Sequence, residues 1–252
     1  MSRVEVLALI PARGGSKSVP RKNVLPIAGK PMIAYSIAHA LEARSITRTI
    51  VSTDDDEIAE VSRRYGAELP FRRPAEFATD SATDLDVFRH ALAWLAEQEG
   101  YVPELVVHLR PTGPVRDVAL IELAIERMLA HPEADALRSV SLAEQTPYKM
   151  WKIADGYLEP ALVLPGVREA HSMPRQALPP VYWQNGHVDI VRPRAVLEQN
   201  SMCGQIILPF VTEGPVHELD YPDQIPGLER AVREQQVARL ESSEETWKRH
   251  PS

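Results

Sequence analysis

The pattern of apolar and polar positions predicts alternating strands and helices over the first 142 residues of the chain. Short, nearly continuous apolar runs are typical of strands buried on both faces of a parallel sheet. They fall at Val4–Ile10, Arg48–Ser52, Ala67–Phe71, Glu104–Leu109 and Ala136–Leu142. Segments with helical periodicity lie between them, at Pro31–Arg44, from a cap at Ser52 or Thr53 to Gly66, at Leu85–Gln98 and at Asp117–Ala130. This order predicts an α/β fold with a mostly parallel sheet covered by helices on both faces.

The alternation stops between residues 143 and 180. Two strand-like pieces, Lys149–Ile153 and Tyr157–Val163, flank Asp155-Gly156, a pair that favours a tight hairpin turn. An isolated two-stranded hairpin is only marginally stable, so its apolar side chains need another surface to pack on. We therefore expect residues 143–180 to form a small β-hairpin excursion that makes a dimer contact.

Residues 1–240 are predicted to form a single domain that contains this excursion, and the polar residues 241–252 are predicted to form a frayed tail. The remaining predicted elements are a turn at Asn185-Gly186 leading into a returning strand, a strand at Gly204–Val211 and a helix at Leu228–Leu240.

Composition and charge narrow the class of protein. The 252 residues carry a formal net charge of −7 and are 44% hydrophobic, which is ordinary for a soluble globular protein. No apolar run approaches the roughly 20 residues that cross a bilayer, and the N-terminus lacks a signal-peptide pattern. The single cysteine, Cys203, excludes an internal disulfide. From these three features we expect a cytoplasmic protein that does not bind membranes. The lack of a long basic stripe argues against binding to nucleic acid.

A positively charged segment follows the first predicted strand, in contrast to the net negative charge of the whole chain. Five cations lie within eighteen residues there, and no acidic residue occurs between Glu5 and Glu42. Gly14 and Gly15 allow the loop to turn and to approach a ligand closely. Exposed backbone N–H groups and fixed cations in such a loop suit a polyphosphate. The cations are Arg13, Lys17, Arg21, Lys22 and Lys30.

Two common phosphate-binding motifs do not fit this loop. The dinucleotide motif GxGxxG would start at Gly14, but Ser16 and Val19 occupy its later glycine positions. The P-loop motif GxxxxGK[ST] fails because Gly29-Lys30 is followed by Pro31.

The loop instead resembles the signature of the cytidylyltransferases that make CMP-activated acidic sugars such as CMP-sialic acid. In that family a strand precedes the pattern A-R-x-x-S-K-x-x-P-x-K-N. The alternative is a surface loop that is basic by chance. The chain matches every fixed position, with Ala12, Arg13, Ser16, Lys17, Pro20, Lys22 and Asn23.

The resemblance implies a Rossmann-like nucleotidyltransferase fold that binds CTP and an acidic sugar. Lys22 is then expected at the α-phosphate, with Arg13 and Lys17 at the β- and γ-phosphates, as the catalytic cations. Segment 72–84 resembles the family's R-P-x-x-x-A-x-D-x-A segment near the cytosine ring, although by itself it is more typical of a helix start. The other expected nucleotide-binding residues are Ala12, Gly14, Ser16, Asn23, Arg73 and Ala82.

The acidic run Asp54, Asp55, Asp56 and Glu57 has two interpretations. Acidic side chains are ligands for metal ions, but they also stabilise the positive end of a helix. Four consecutive acids would not face one ion, so the structural interpretation is favoured.

Two further segments resemble family motifs beside the acidic sugar but depart from them. The family usually shows Q-P-T-S-P-L-R at residues 110–116 and N-G-x-x-Y-I at 185–190. Arg110, Gly113 and Asp189 stand where glutamine, serine and tyrosine are usual, which leaves the identity of the acceptor open. The substrate-binding residues that the resemblance implies are Arg110, Asn185, Gly186, Lys149 and Arg175.

Lys149 and Arg175 lie in the excursion that, in the family, makes the homodimer and reaches the partner's site. The alternative is that both are ordinary solvated cations.

A metal site is implied near the C-terminal end, where Glu218-Leu219-Asp220 resembles the family's D-x-D. Alternate residues of an extended segment face the same side, and Mg²⁺ commonly takes one or two carboxylates together with phosphate oxygens and water. The alternative for Asp220 is a helix N-cap before Pro222.

Two other functions remain open at this stage. A related nucleotidyltransferase could use another acceptor, such as a deoxyoctulosonate, a phosphonate or a sugar phosphate, or another nucleotide. A protein that only binds nucleotide would keep the fold but not the catalysis.

Overall fold

The computed structural model describes residues 4–249. Its strands are β1 (Val6–Pro11), β2 (Pro26–Ile27), β3 (Lys30–Pro31), β4 (Arg48–Ser52), β5 (Leu105–His108), β6 (Ala136–Leu142), β7 (Trp151–Ala154), β8 (Tyr157–Pro160), β9 (Tyr182–Val191) and β10 (Ile207–Val211). Its helices are α1 (Met32–Glu42), α2 (Asp56–Arg64), α3 (Asp84–Glu99), α4 (Val118–Ala130), α5 (Pro193–Leu197) and α6 (Ile225–Arg249). No helix within residues 4–249 is both long and apolar enough to cross a membrane.

Six strands form one sheet in the order β10-β6-β9-β5-β1-β4. Strand β1 pairs in parallel with β4 and β5, and β10 pairs in parallel with β6. Strand β9 is antiparallel to both of its neighbours, β5 and β6. Five strands therefore share one direction, which confirms the predicted α/β fold with a mostly parallel sheet.

The sheet is buried on both faces, as its apolar strands require. Alternate residues of β1 enter two different apolar layers. Leu7 and Leu9 pack with Phe88 of α3 on one face, whereas Ala8 and Ile10 pack with α1 and α4 on the other. This two-sided burial explains why β1 reads as a continuous apolar run.

The predicted strand at Ala67–Phe71 is wrong. Only Glu68 joins the sheet edge there, through a single parallel bridge to Ile50. The cap predicted at Ser52 or Thr53 is also wrong, because Ser52 remains in β4 and the Asp55 carboxylate accepts a hydrogen bond from the Ile58 N–H at 3.0 Å.

The C-terminal helix extends beyond its predicted bounds. It was expected at Leu228–Leu240, but α6 begins at Ile225 and its backbone stays helical to Arg249. Most of the predicted frayed tail is thus helical, and residues 250–252 of that tail lie outside the described residues.

Strand β9 contains an irregularity where a turn was predicted. Gln184 pairs with Val140 and Asp189 pairs with Arg138, so β9 has extra residues between these two positions. Asn185-Gly186 therefore lies in a bulge within β9 rather than in a turn that precedes a strand. Bulges of this kind redirect side chains locally. This one lies near the carboxyl ends of the parallel strands, where the candidate site is built.

The excursion at 143–180 contains the predicted hairpin, formed by β7 and β8 around Asp155-Gly156. Its large apolar side chains are exposed, including Trp151, Ile153 and Leu158. The hairpin does not bury its own apolar surface, as expected, and its contact with a second copy of the chain stays a prediction.

One buried cation supports the loop that follows β5. The Arg116 guanidinium is 1% exposed and donates to the Ser36 hydroxyl and to the carbonyl oxygens of Arg110, Gly113 and His187. Burial lowers the pKa of Arg116 to about 10, and the side chain remains a cation at neutral pH. It therefore ties α1 and β9 to the carboxyl end of β5.

We predict that Arg116→Met lowers the free energy of unfolding by about 3 kcal/mol or more, because several buried acceptors lose their donor. For a chain of this size the midpoint of thermal unfolding should fall by roughly 6–12 °C. Thermal denaturation followed by circular dichroism measures the change. Arg230→Met, at an exposed position of α6, is the control, and an equal shift in the two variants would contradict the prediction.

Candidate active site

The carboxyl ends of the neighbouring parallel strands β1 and β5 bring two loops to one edge of the sheet. Ligands in open α/β sheets collect at such strand ends. A cavity of about 310 Å³ lies there, between the loop after β1, segment 72–84 and the loop after β5. Of the predicted site residues, those that line it are Arg13, Asn23, Arg73, Ala82 and Arg110.

The loop after β1 is held by its own backbone and by the start of α2. The Asn23 amide donates to the Arg13 carbonyl at 2.9 Å, and the Gly14 N–H donates to the Asp54 carboxylate at 3.0 Å. A Cβ at Gly14 would lie 2.7 Å from Oδ2 of Asp55, so only glycine fits this approach. Ala12 is fully buried beneath the loop.

Carboxylates from distant segments compensate the loop cations. Asp80 lies 3.1 Å from Arg13 and also contacts Lys17, while Asp55 lies 2.5 Å from Arg21. Residues 6–41 contain no acid, but Arg13, Lys17 and Arg21 are still paired because the fold brings carboxylates from later segments to them. Ser16, half-buried, donates its backbone N–H to the Gly14 carbonyl.

The acidic run at 54–57 has a structural role in the chain. Asp54 accepts from the loop, and Asp55 caps α2 and pairs with Arg21, which together lower the pKa of Asp55 to about 2. Asp56 contacts Arg72, and Glu57 contacts Arg21. The part of the chain that the structure describes has no group of three or more residues suited to hold a metal ion.

Lys22 connects the loop to the segment at 218–220. Its side chain is only 13% exposed, and Nζ lies 2.8 Å from the Leu219 carbonyl and 3.4 Å from Oδ1 of Asp220. The lack of acidic residues near Lys22 in the sequence suggests an exposed lysine without a carboxylate partner, and the structure shows that this is wrong. Leu219 also donates its N–H to the Thr112 carbonyl, so both site loops meet at this point.

Arg73 and Ala82 lie on the α3 side of the cavity. The buried Arg73 guanidinium donates to the hydroxyl and carbonyl of Ser52, and burial lowers the pKa of Arg73 to about 10. Ala82 donates its N–H to the Thr79 hydroxyl in the turn before α3. These contacts join segment 72–84 to the end of β4.

Arg110 reaches across to β9. Its Nη1 lies 2.8 Å from Oδ2 of Asp189, and Gln184 donates to the same oxygen at 2.8 Å. Arg110 and Glu218 both pass close to Gly186, where a Cβ would lie 2.9 Å from Nη1 of Arg110 and 2.8 Å from Oε1 of Glu218. The φ of Gly186, +65°, favours glycine, and any other residue here would also displace the ends of the Arg110 and Glu218 side chains.

Asn185 is engaged within the chain. Its amide nitrogen donates to the hydroxyls of Ser141 and Thr212 at 2.7 Å each, and its oxygen accepts from the His187 N–H at 3.1 Å. The side chain therefore holds the bulge of β9 in place, and its predicted contact with substrate is untested.

Lys149 and Arg175 lie away from the cavity of their own chain. Both are exposed, and Arg175 donates to the Ala143 carbonyl at 3.0 Å within the excursion. Neither lines the cavity, and their predicted contact with the substrate of a second subunit stays a prediction.

Glu218 and Asp220 flank the buried Leu219 on an extended segment. Burial raises the pKa of Glu218, and the nearby Asp220 carboxylate raises it further. Asp220 does not cap the helix that follows, because Gln224 accepts the N–H groups of Asp220 and Tyr221 and the short turn at Pro222–Gln224 begins after Tyr221. The helix-cap alternative is wrong.

Among the residues near the cavity that were not predicted as site residues, Asp80, His108 and Asp189 carry polar side chains that contact or face the predicted ones. The signal for Asp189 was its departure from the family pattern. The signal for His108 was a histidine at the end of a buried strand, and the signal for Asp80 was its place at the aspartate of the segment R-P-x-x-x-A-x-D-x-A.

A family model described as cytidylyltransferase matches residues 7–192. The chain is 31% identical over 201 residues to a CMP-N,N'-diacetyllegionaminic acid synthase of Campylobacter jejuni. The aligned region covers 80% of this chain and 83% of the relative. It is 38% identical over 123 residues to a pseudaminic acid cytidylyltransferase of Campylobacter jejuni, which covers 49% of this chain and about half, 53%, of that relative.

Among solved structures, the fold is similar to that of a CMP:2-keto-3-deoxy-manno-octonic acid synthetase complexed with CTP. The TM-score is 0.65, with 18% identity, 92% of this chain covered and 99% of the other. A 4-diphosphocytidyl-2C-methyl-D-erythritol synthase gives a TM-score of 0.64 with 14% identity, covering 91% of this chain and 98% of the other. These two likenesses show a common fold. With the family model spanning both site loops and most of the sheet, the chain belongs to the cytidylyltransferase family.

Proposed function

We propose that this cytidylyltransferase transfers CMP from CTP to a nonulosonic acid and releases pyrophosphate. The observation that carries the proposal is the meeting of the cationic loop and the Glu218–Asp220 segment at Lys22, beside the cavity at the sheet edge. The named relatives that make CMP-activated nonulosonic acids support this class of acceptor.

In this reaction a hydroxyl oxygen of the acceptor attacks the α-phosphorus of CTP, and the hydroxyl loses its proton to solvent. The bond from that phosphorus to the bridging oxygen breaks, and the pyrophosphate leaves with the bonding electrons. Catalysis of such transfers depends mainly on holding the groups in line and on compensating negative charge. Lys22 is proposed to act at the α-phosphate, because it is the most enclosed loop cation of the three proposed to be catalytic.

Arg13 and Lys17 are proposed to bind the β- and γ-phosphates. In the chain alone both contact Asp80, so the triphosphate has to replace this carboxylate. The side chains of Lys17 and Asp80 are 79% and 52% exposed, and exposed ion pairs contribute only about 0–1 kcal/mol. A triphosphate carries more charge than one carboxylate, so the exchange is favourable.

The chain offers a donor set that fits Mg²⁺. Glu218 and Asp220 supply two carboxylates from alternate positions, and Mg²⁺ commonly takes one or two carboxylates with phosphate oxygens and water completing its shell. We propose that they hold the ion, Asp220 directly and Glu218 directly or through water. When bound, Mg²⁺ would neutralise phosphate charge and help to orient the triphosphate.

The acceptor is proposed to lie on the Arg110 side of the cavity, next to the β9 bulge. Arg110, Gly186 and Asn185 would form this side within one chain. The protein is also proposed to act in the cytoplasm, where CTP is available.

A panel of acceptors tests the proposed function. We expect CTP-dependent release of pyrophosphate with nonulosonic acids, and little with GTP or UTP.

Lys22→Ala should lower kcat by about 10²–10³-fold, as when one oriented donor is removed from a charged transition state. Lys30→Ala, an exposed cation of the same segment, is the control. An inactive wild type, or a Lys22→Ala enzyme of near-normal activity, would contradict the proposal.

The metal proposal predicts that Asp220→Asn lowers activity by about tenfold or more and raises the Mg²⁺ concentration needed for half-maximal rate. Glu218→Asp, which keeps a carboxylate, should have a mild effect. A magnesium titration of the steady-state rate measures both. Asp223→Asn, at an exposed acid nearby, is the control. If Asp220→Asn changed only the thermal stability, Asp220 would not be a metal ligand.

A homodimer with shared sites is also proposed. The excursion exposes Met150, Trp151, Ile153 and Leu162, a concentration of apolar surface that would be costly on a soluble monomer. If the hairpin crosses to a partner, Lys149 or Arg175 can reach the partner's acceptor and contact its carboxylate.

Mixed dimers test this arrangement. A heterodimer of a Lys22→Ala subunit and an Arg175→Ala subunit has one site with both residues, and it should recover activity well above either parent enzyme. Lys22→Ala combined with Arg13→Ala is the control, because both residues belong to the same loop and no complete site can form. Absence of recovery in a verified heterodimer, or a monomer by light scattering, would refute the shared site.

A further inference from the structure

The ion pair between Arg110 and Asp189 is an unusual feature of the cavity. Asp189 is 1% exposed, and its Oδ2 accepts from both Arg110 and Gln184 at 2.8 Å. A carboxylate buried this deeply needs a cation or several donors to remain charged. Arg110 in turn is 28% exposed and lines the cavity. The pair thus joins a buried strand residue to a side chain that a ligand can reach.

Two polar atoms at this point lack partners. Asp189 Oδ1 and His108 Nε2 are buried and accept or donate no hydrogen bond within residues 4–249. Asp189 and His108 are directly opposite each other on β9 and β5, so their side chains lie on the same face of the sheet. His108 also lines the cavity. A ligand group with both donor and acceptor atoms would suit this end of the cavity.

The charge around Arg110 is already balanced by the chain. Burial opposes the charged form, but the carboxylates of Asp189, Asp84 and Glu218 raise the pKa of Arg110 above its ordinary value. An anionic ligand group at Arg110 would therefore be repelled by the Asp189 carboxylate, which already lies 2.8 Å from Nη1. A neutral hydroxyl or amide group would meet fixed N–H donors without this repulsion.

We propose that Asp189 is a positioning residue that fixes Arg110 as a hydrogen-bond donor to a neutral hydroxyl or amide substituent of the acceptor sugar. The acceptor's carboxylate then binds elsewhere. This inference rests on the proposed function, since it concerns the acceptor of the same reaction. It adds Asp189 to the residues that select the acceptor, and it assigns to Arg110 a substituent other than the carboxylate.

Asp189→Asn tests the proposal because the two possible roles of Arg110 predict opposite results. The amide keeps the shape but removes the charge that orients Arg110. If Arg110 binds a neutral substituent, kcat/KM for the acceptor should fall by about tenfold or more, as for loss of a hydrogen bond to a charged group. The KM for CTP should change little. If Arg110 binds the carboxylate, removal of a competing negative charge should raise kcat/KM for the acceptor, which would overturn the proposal.

A double variant and a matched control separate positioning from general stability. Arg110→Gln combined with Asp189→Asn should lower acceptor kcat/KM no further than Arg110→Gln alone, because Asp189 acts only through Arg110. Asp135→Asn removes another buried carboxylate, which lies 2.9 Å from Arg194 before β6, away from the cavity. It should lower the unfolding midpoint and leave the ratio of acceptor to CTP kinetic constants unchanged.

Further outcomes would also support or overturn the positioning role of Asp189. If Asp189→Asn does not fold, Arg110→Lys is measured instead, because lysine keeps the charge but lacks the planar guanidinium. Its kcat/KM for the acceptor should fall, while its kinetic constants for CTP should not change. Equal losses for acceptor and CTP, or no loss, would overturn the positioning role. If the wild type used only another class of acid sugar, the proposed acceptor would be wrong and the same variants would be measured with that sugar. If it used no acid sugar, both proposals would fall.

Discussion

The compensation of loop cations by carboxylates from other segments is the interaction on which the site depends. The loop after β1 has no acid of its own, so its positive charge is balanced only when the chain folds. The contacts join the loop to three elements: segment 72–84, the start of α2 and segment 218–220. The pairs are Arg13–Asp80, Lys17–Asp80, Arg21–Asp55 and Lys22–Asp220.

These contacts differ in how readily a ligand can replace them. Lys17 and Asp80 are both more than half exposed, so solvent weakens their attraction and a polyphosphate can displace the carboxylate. Lys22 is largely enclosed and also bonds to the Leu219 carbonyl. The loop therefore combines one enclosed cation with exposed cations whose carboxylate partners are open to solvent.

The reversed strand β9 determines the other side of the cavity. Its bulge accommodates Gly186, whose missing Cβ leaves room for Arg110 and Glu218. Three residues later, Asp189 returns to the sheet opposite His108 and pairs with Arg110. The two departures from the family pattern at 110 and 189 are thus in direct contact. A buried carboxylate is stable there because the arginine compensates it.

The sequence by itself determined the α/β alternation, the hairpin at 143–180 and the cationic loop. Apolar periodicity, Asp155-Gly156 and the spacing from Ala12 to Asn23 are local signals, and local sterics and burial are enough to interpret them. Only the tertiary structure decided that Ala67–Phe71 is not a strand, because this segment pairs with β4 at Glu68 alone. It also decided which acids face the loop, that Asn185 is bonded within the chain, and that Arg110 meets Asp189. Those contacts join residues from 27 to 198 positions apart, and no local pattern specifies which distant charges will meet.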